Sequence, residues 1–279
     1  MVVCEICGGI GLVRTHAGSA VCVCQAEREI LARMNRAGFP AQYEEATLEN
    51  LHSFSANMEA IALAKRFAQE FVRKGPPGAR RGILLTGGVG RGKTHLAIAL
   101  GRLLVVTKGI TVKFVDCQSL YDRIRASYND QTLSTQGRVL RELTQADLVI
   151  LDDLGAARPT DWVYEVTELL IGELYNRRAA VIVTSNFPNL SPGEGTSTYE
   201  RLRPSTLGDR IGARMWSRLQ QMCVHVEMAG PDYRNEREHG TKGSIHLGYG
   251  HRHQGAARDS PDDAEGSGRP DWHSRKFTQ

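Results

Sequence analysis

The sequence has no apolar run of the roughly 20 residues that a membrane-spanning helix needs, so no contact with a membrane is expected. Its start lacks the charged-then-apolar pattern of a secretory leader, and a cytoplasmic protein is the expectation. A strong charge of one sign is also missing. The net charge is +4, so any acidic partner must be argued from local patches and not from the whole chain. Beyond residue 24 the only cysteines are Cys117 and Cys223, which read as ordinary buried thiols. Six cysteines so distributed do not make a disulfide framework in a cytoplasmic chain.

What is present is ordinary for a soluble globular protein: 41% hydrophobic and 24% charged residues. The 279 residues suffice for one well-buried core and a small appendage. The most informative stretch is Gly87-Gly88-Val89-Gly90-Arg91-Gly92-Lys93-Thr94, with His95 following and the β-type run Gly82–Thr86 preceding. Its spacing fits the phosphate-binding loop G-x-x-x-x-G-K-[ST] between a strand and a helix. Glycines let successive backbone N–H groups turn toward phosphate oxygens, and the helix starting at Lys93 adds its positive end. Lys93 can reach the β- and γ-phosphates of ATP, and the Thr94 hydroxyl can ligate Mg²⁺.

Further strands are expected at Thr111–Asp116, Asp147–Asp152, Ala179–Asn186 and Cys223–Met228, alternating with helices. Continuous apolar strands alternating with helices predict an α/β fold, a parallel sheet covered on both faces. Its ligand would sit beyond the carboxyl ends of the strands. Asp152 falls there, where a phosphate-loop ATPase holds its Mg²⁺-supporting carboxylate, and Asp153 can orient the attacking water. Asn186 ends the next strand and can hydrogen-bond that water or the γ-phosphate; by itself it would be an ordinary turn residue. Arg210 and Arg214 fall on one face of an expected helix over Ser205–Ser217, at i and i+4. Either can neutralise charge on a transferred phosphoryl, or remain solvated.

At the N-terminus Cys4-x-x-Cys7 and Cys22-x-Cys24 flank a short hairpin. Two close pairs can bring four thiolates to the corners that Zn²⁺ prefers, and a metal would help so small a segment fold. Unliganded thiols or a redox pair are the alternatives. A catalytic zinc is not expected. A short helix over Gln25–Arg36 follows, with Ile30, Leu31 and Met34 on one stripe, then an irregular connector. A helix capped at Ser55 is expected to reach about Lys74, with Ile61, Ala64, Phe67, Ala68 and Phe71 facing the core. The expected domains are a zinc module over 1–38, an ATPase domain over 39–234 with its connector at 39–60, and a disordered polar tail over 235–279.

Taken together, these motifs resemble the DnaC/DnaI-type helicase loaders, a branch of the AAA+ ATPases near the initiator DnaA. The resemblance rests on the cysteine-rich start, Tyr43–Asn50, the phosphate loop, Leu148–Gly155, Thr184–Asn186, Leu207–Met215 and Gly230–Arg234. It implies an AAA+ three-layer sandwich behind a zinc-ribbon-like module. Lys93 and Thr94 would be the Walker A pair, Asp152 and Asp153 the Walker B pair, and Asn186 sensor 1. Arg214 would be an arginine finger reaching a neighbouring subunit, Arg234 sensor 2, and Arg210 a supporting residue. The implied partners are a DnaB-type replicative helicase hexamer, single-stranded DNA and further copies through the ATPase domain. The implied DNA surface lies on Ser119–Gly137, with Arg123, Arg125 and Tyr128; Tyr128 can stack on a base or pack on its own helices. Two departures stand out. Asp153 is shorter than the glutamate many AAA+ proteins carry, which favours slow, regulated hydrolysis, and the Pro188–Pro204 loop is long. An IstB-type ATPase serving a transposase and a nucleotide-dependent scaffold with little turnover are the competing readings.

Overall fold

The computed structural model describes residues 4–16, 18–51, 57–72, 80–127, 141–193 and 206–233. Three runs, Gly82–Thr86 (β3), Leu148–Asp152 (β5) and Ala180–Ser185 (β6), are buried at every position. An uninterrupted apolar strand needs cover on both faces, and that requirement sets the architecture. With Val112–Asp116 (β4) and Cys223–Glu227 (β7) they form one sheet in the order β4-β5-β6-β3-β7, every neighbour parallel.

The period-2 alternation of each strand divides the core into two layers. Ile83, Leu85, Ile150 and Ile182 face one side, packed on helices Val23–Ala37 (α1), Met58–Glu70 (α2) and Lys93–Lys108 (α3). Leu84, Val149, Leu151, Val181 and Val183 face the other, under Cys117–Ser127 (α4) and Asp161–Asn176 (α5). This is the expected three-layer α/β sandwich. Helix α3 is buried through Leu96–Leu100 without interruption, as a helix wedged between a sheet and α2 must be. Leu12–Thr15 (β1) and Gly18–Val21 (β2) pair as a separate antiparallel hairpin.

Several elements differ from expectation. Helix α2 ends at Glu70, short of Lys74. The expected cap Ser55 lies outside the described residues, and Asn57 precedes the helix without capping it. Ile61, Ala64 and Ala68 are buried and Phe67 and Phe71 pack beside them. In α1, Ile30 and Met34 pack on the core, but Leu31 is exposed because it falls off their stripe. The connector is part of the core: Ala46, Leu48 and Leu51 are buried. Cys117 and Cys223 are buried thiols, but Cys117 starts a helix rather than lying in a strand. Between β4 and β5, α4 and residues 141–144 are helical, and 128–140 lie outside the described residues, as do most of the Pro188–Pro204 loop and the whole 235–279 tail.

The helix expected over Ser205–Ser217 is two helices, Leu207–Ile211 (α6) and Ala213–Met222 (α7). Gly212 breaks it at φ 85°, ψ 152°, a region essentially closed to residues with a Cβ. The single-face, i and i+4 placement of Arg210 and Arg214 is therefore corrected: they stand on different helices. A Cβ at Gly212 would meet nothing nearer than Tyr164 at 4.0 Å, so its cost would be backbone strain and not a clash. Gly212→Ala should lower stability by about 1–3 kcal/mol, read as a fall in the urea midpoint at unchanged m-value.

Candidate functional site

The carboxyl ends of β3, β5 and β6 meet on one side of the sheet. From Thr86 the chain enters the glycine loop and emerges as α3, whose first residue, Lys93, is buried. Its Nζ donates to the Gly87 and Gly88 carbonyls at 2.9 and 2.7 Å, curling the loop around the ammonium. Gly90 sits at φ 75°, and a Cβ there would fall 1.7 Å from an Asp232 carboxylate oxygen. A side chain here would displace that carboxylate and would be strained at this φ. The segment 228–233 thus lies against the loop: the Met228 N–H donates to Thr86 O, Arg91 Nη1 to Met228 O, and the Tyr233 N–H to Gly90 O. Asn57, fully buried, ties the segment further, donating to Tyr233 Oη at 3.0 Å and accepting from the Ala229 N–H at 3.1 Å. Asn57 carries no motif that singles it out, and Tyr233, though it falls in the Gly230–Arg234 run, has no role assigned to it by sequence.

Asp152 is buried at the end of β5. Its Oδ1 accepts from Thr94 Oγ1 at 2.9 Å and Thr184 Oγ1 at 2.6 Å. Burial pushes its pKa above the ordinary carboxylate value, and the two hydroxyls pull against that shift. Asp153, next in line, has φ 54°, a left-handed conformation that costs a residue with a Cβ about 1–2 kcal/mol. Its N–H donates to Thr184 Oγ1 at 2.9 Å, and its Oδ1 accepts from Asn186 Nδ2 at 2.8 Å. Ser185 Oγ donates to Leu154 O at 2.8 Å. Every residue of Thr184–Asn186 is therefore bonded to the turn after β5. Thr184, one threonine in an apolar strand, has no mark in the sequence, yet its hydroxyl bonds both Asp152 and Asp153.

A cleft of about 600 Å³ is lined by Val89–His95, Asp153, Asn186 and Tyr233, with Asp152 bonded to Thr94 behind its wall. Tyr43, Asn50 and Leu51 line it as well, so the connector contributes to the site. His95 Nε2 lies 2.9 Å from Asn50 Oδ1 and 3.0 Å from Thr47 O, and its ring packs edge-on to Tyr43. The donor set suits the chemistry expected of it. A hydroxyl and a carboxylate 2.9 Å apart are hard oxygen ligands of the kind Mg²⁺ takes, beside a glycine loop and a lysine at a helix N-terminus.

The arginines separate. Arg210 donates to the carbonyls of Gly155, Ala156 and Ala157 at 2.7, 3.1 and 2.6 Å and lies over the Phe187 ring. It joins the turn after β5 to the residue following Asn186. Arg214 does not line the cleft of its own chain; it is exposed and paired with Glu168 at 2.7 Å. Arg123 and Arg125 are exposed on α4, with Arg125 over the Trp162 ring at 4.9 Å. Arg234 and Tyr128 lie outside the described residues.

The four N-terminal cysteines converge, their sulfur atoms all within 4.8 Å of one another. A tetrahedron of Zn–S bonds near 2.3 Å has edges of about 3.8 Å, so the cluster fits such an ion with little adjustment. The Gly11 N–H donates to Cys7 Sγ at 3.2 Å and is the main cause of a Cys7 pKa lowered to about 6, favouring a thiolate. Desolvation, followed by its thiol neighbours, pushes Cys24 up to about 12.

A glycine phosphate loop, a Thr-Asp pair and a second carboxylate at the ends of a five-stranded parallel sheet define an AAA+ P-loop NTPase. The chain belongs to the family described as IstB-like ATP binding protein, whose model matches residues 21–240. It is 26% identical over 148 residues to the replicative helicase loader DnaC of Buchnera aphidicola subsp. Baizongia pistaciae, covering 53% of this chain and 56% of that one. It is 28% identical over 159 residues to an insertion sequence IS1162 putative ATP-binding protein of Pseudomonas fluorescens, covering 56% and 64%. The chain thus spans less than two thirds of either relative. A crystal structure of the DnaC helicase loader superposes with a TM-score of 0.56 at 24% identity, covering 68% of this chain and 100% of that one, a likeness of fold. Among the described residues no helix is long and apolar enough to cross a membrane.

The three carbonyls that Arg210 bridges need a planar fork. Arg210→Ala should cost about 1.5–3 kcal/mol, the range for hydrogen bonds to charged groups, and Arg210→Lys should recover little of it, because one ammonium does not span them. Urea unfolding of the three proteins measures both.

Proposed function

We propose that the chain is a slow, partner-regulated ATPase that loads a replicative helicase onto single-stranded DNA, with the ATP state controlling release of the helicase. The observation carrying the ATPase reading is the Thr94–Asp152–Thr184 bond set beside Lys93. In this reading the loop N–H groups and Lys93 hold the ATP phosphates, and Thr94 and Asp152 hold Mg²⁺. Bound Mg²⁺ supplies charge neutralisation between the β- and γ-phosphates. Asp153 orients the attacking water, and Asn186 holds the Asp153 carboxylate through its Nδ2. Arg214, turned away from its own cleft, completes a neighbour's site in an oligomer built through the ATPase domain, and Arg234 acts as sensor 2. Arg123, Arg125 and Tyr128 face single-stranded DNA.

In the same proposal residues 1–38 form a zinc module whose helix α1 is packed on the core of the ATPase domain, 39–234 form that domain, and 235–279 a disordered tail. Cys4, Cys7, Cys22 and Cys24 hold a structural Zn²⁺. A protein partner for the module is supported by Ile6, Ile10, Leu12, Val21 and Val23, all more than half exposed within the same short segment as the cysteines. A DnaB-type helicase in the cytoplasm is the partner this reading assigns to it. A second reading, an ATPase assisting a transposase, is favoured by the IstB-like family match and the likeness to the insertion-sequence protein.

Two outcomes are expected. Arg214→Ala should leave ATP affinity within about threefold of the parent and lower assembly-dependent turnover by about 10³-fold or more, the scale of an arginine finger; a titration of turnover against protein concentration shows it, and a normal curve would remove the assignment. The full chain should co-purify with the replicative helicase of its own host in ATP and Mg²⁺, and the Cys4→Ser, Cys7→Ser double variant should lose both zinc, measured by atomic absorption, and the helicase. Capture of a transposase instead would establish the second reading.

A further inference from the structure

Asp152 and Asp153 point in different directions from adjacent backbone positions, and one side chain touches both. Thr184 is fully buried at the end of β6, one step past the Leu151↔Val183 pair in the parallel ladder, level with Asp152. A hydroxyl carries one proton. In Thr184 that proton goes to Asp152 Oδ1 at 2.6 Å, so it is a lone pair of the same oxygen that takes the Asp153 N–H at 2.9 Å. The Thr184 carbonyl accepts from the Leu154 N–H, also at 2.9 Å. Asp153 is held at φ 54° between this bond on its N–H and the Asn186 bond on its carboxylate.

We infer that Thr184 is a positioning residue for hydrolysis: its single hydroxyl fixes the Asp152 carboxylate and the Asp153 backbone in one geometry. The inference rests on the reading of Asp152 as the Mg²⁺ support and Asp153 as the group that orients water. An apolar residue of the same shape would fill the strand equally well. It would leave Asp152 with the Thr94 bond only, and the Asp153 N–H without its acceptor. Asp153 could then leave the left-handed conformation, and its carboxylate would swing away from Asn186. Lys93 would keep its bonds to the Gly87 and Gly88 carbonyls, and Thr94 its bond to Asp152. The loss therefore falls on chemistry and on the metal, and spares binding of the nucleotide by the glycine loop.

The test compares the full-length parent, Thr184→Val and Thr184→Ser in steady-state hydrolysis and in titrations with a fluorescent ATP analogue, with and without Mg²⁺. The valine variant should lose about tenfold to a hundredfold in kcat, the scale for a catalytic group displaced by about 1 Å, with KM for ATP within about threefold. Its metal-free affinity should match the parent, and the gain in affinity on adding Mg²⁺ should shrink. Serine keeps the hydroxyl and should restore most of both. A valine variant with parental kcat and a parental Mg²⁺ gain overturns the inference. So does a variant that also loses metal-free binding and is not rescued by serine, since that is a folding defect. If the parent itself shows neither turnover nor an Mg²⁺ gain, the reading of the site fails, and the inference with it.

Discussion

A carboxylate buried at the end of a parallel strand is the constraint on which this architecture turns. Unpaired in an apolar interior, an ionised group costs several kcal/mol, and Asp152 meets that cost with two hydroxyl donors on one oxygen. Those donors come from the first turn of α3 and the last residues of β6. Satisfying Asp152 therefore fixes the glycine loop, the turn after β5 and the end of β6 relative to one another. The register between β5 and β6 brings Thr184 level with the acid, and the helix after the loop brings Thr94 to its other side. Burial still raises the Asp152 pKa against both donors, and a bound cation would favour its charged form.

The turn after β5 is also where the site meets the rest of the molecule. Arg210 holds three consecutive carbonyls of that turn and covers Phe187, the residue after Asn186. Two residues further, Gly212 ends α6 and redirects the chain, so that α7 packs against α5 and presents Arg214 outward. The pair that looked alike in sequence thus divides its duties. One arginine is spent on carbonyls inside the chain, and the other stands clear of its own cleft. Arg210 thus bonds α6 directly to the turn that follows Asp153.

How much of this was legible in the sequence follows from how local each signal is. The glycine loop, the Asp-Asp pair and the apolar strands are contiguous runs whose physics lies within a few residues, and the sheet and three-layer packing followed from them. The break at Gly212 is not legible because Gly208, four residues earlier, lies inside a helix, and nothing local marks which of the two glycines takes a φ of 85°. Thr184 was missed because a threonine in a β-branched strand looks like any other strand residue; its role exists only in register with Asp152. Asn57 and Tyr233 stand 176 positions apart, and nothing local marks either as the other's partner. The connector read as irregular because its buried residues, Ala46, Leu48 and Leu51, follow neither helical nor strand period.

The N-terminal segment follows the opposite logic from the core. Its hairpin buries little besides three of its four cysteines, with Val13 packed against them, far too little apolar surface to order about 20 residues. A metal held by four sulfurs would supply that missing stability in one step. Yet the helix that leaves the cluster is not part of a free-standing unit: Cys24 lies in the first turn of α1, while Ala37 at its other end is completely buried, with Ile30 and Met34 packed along the same face. Lys113 on β4 donates to the Arg36 carbonyl at 2.8 Å, fastening the end of α1 to the outermost strand of the sheet. The cluster is thus carried on a rigid rod set into the ATPase core, and β4 is hydrogen-bonded directly to β5, the strand that ends in Asp152.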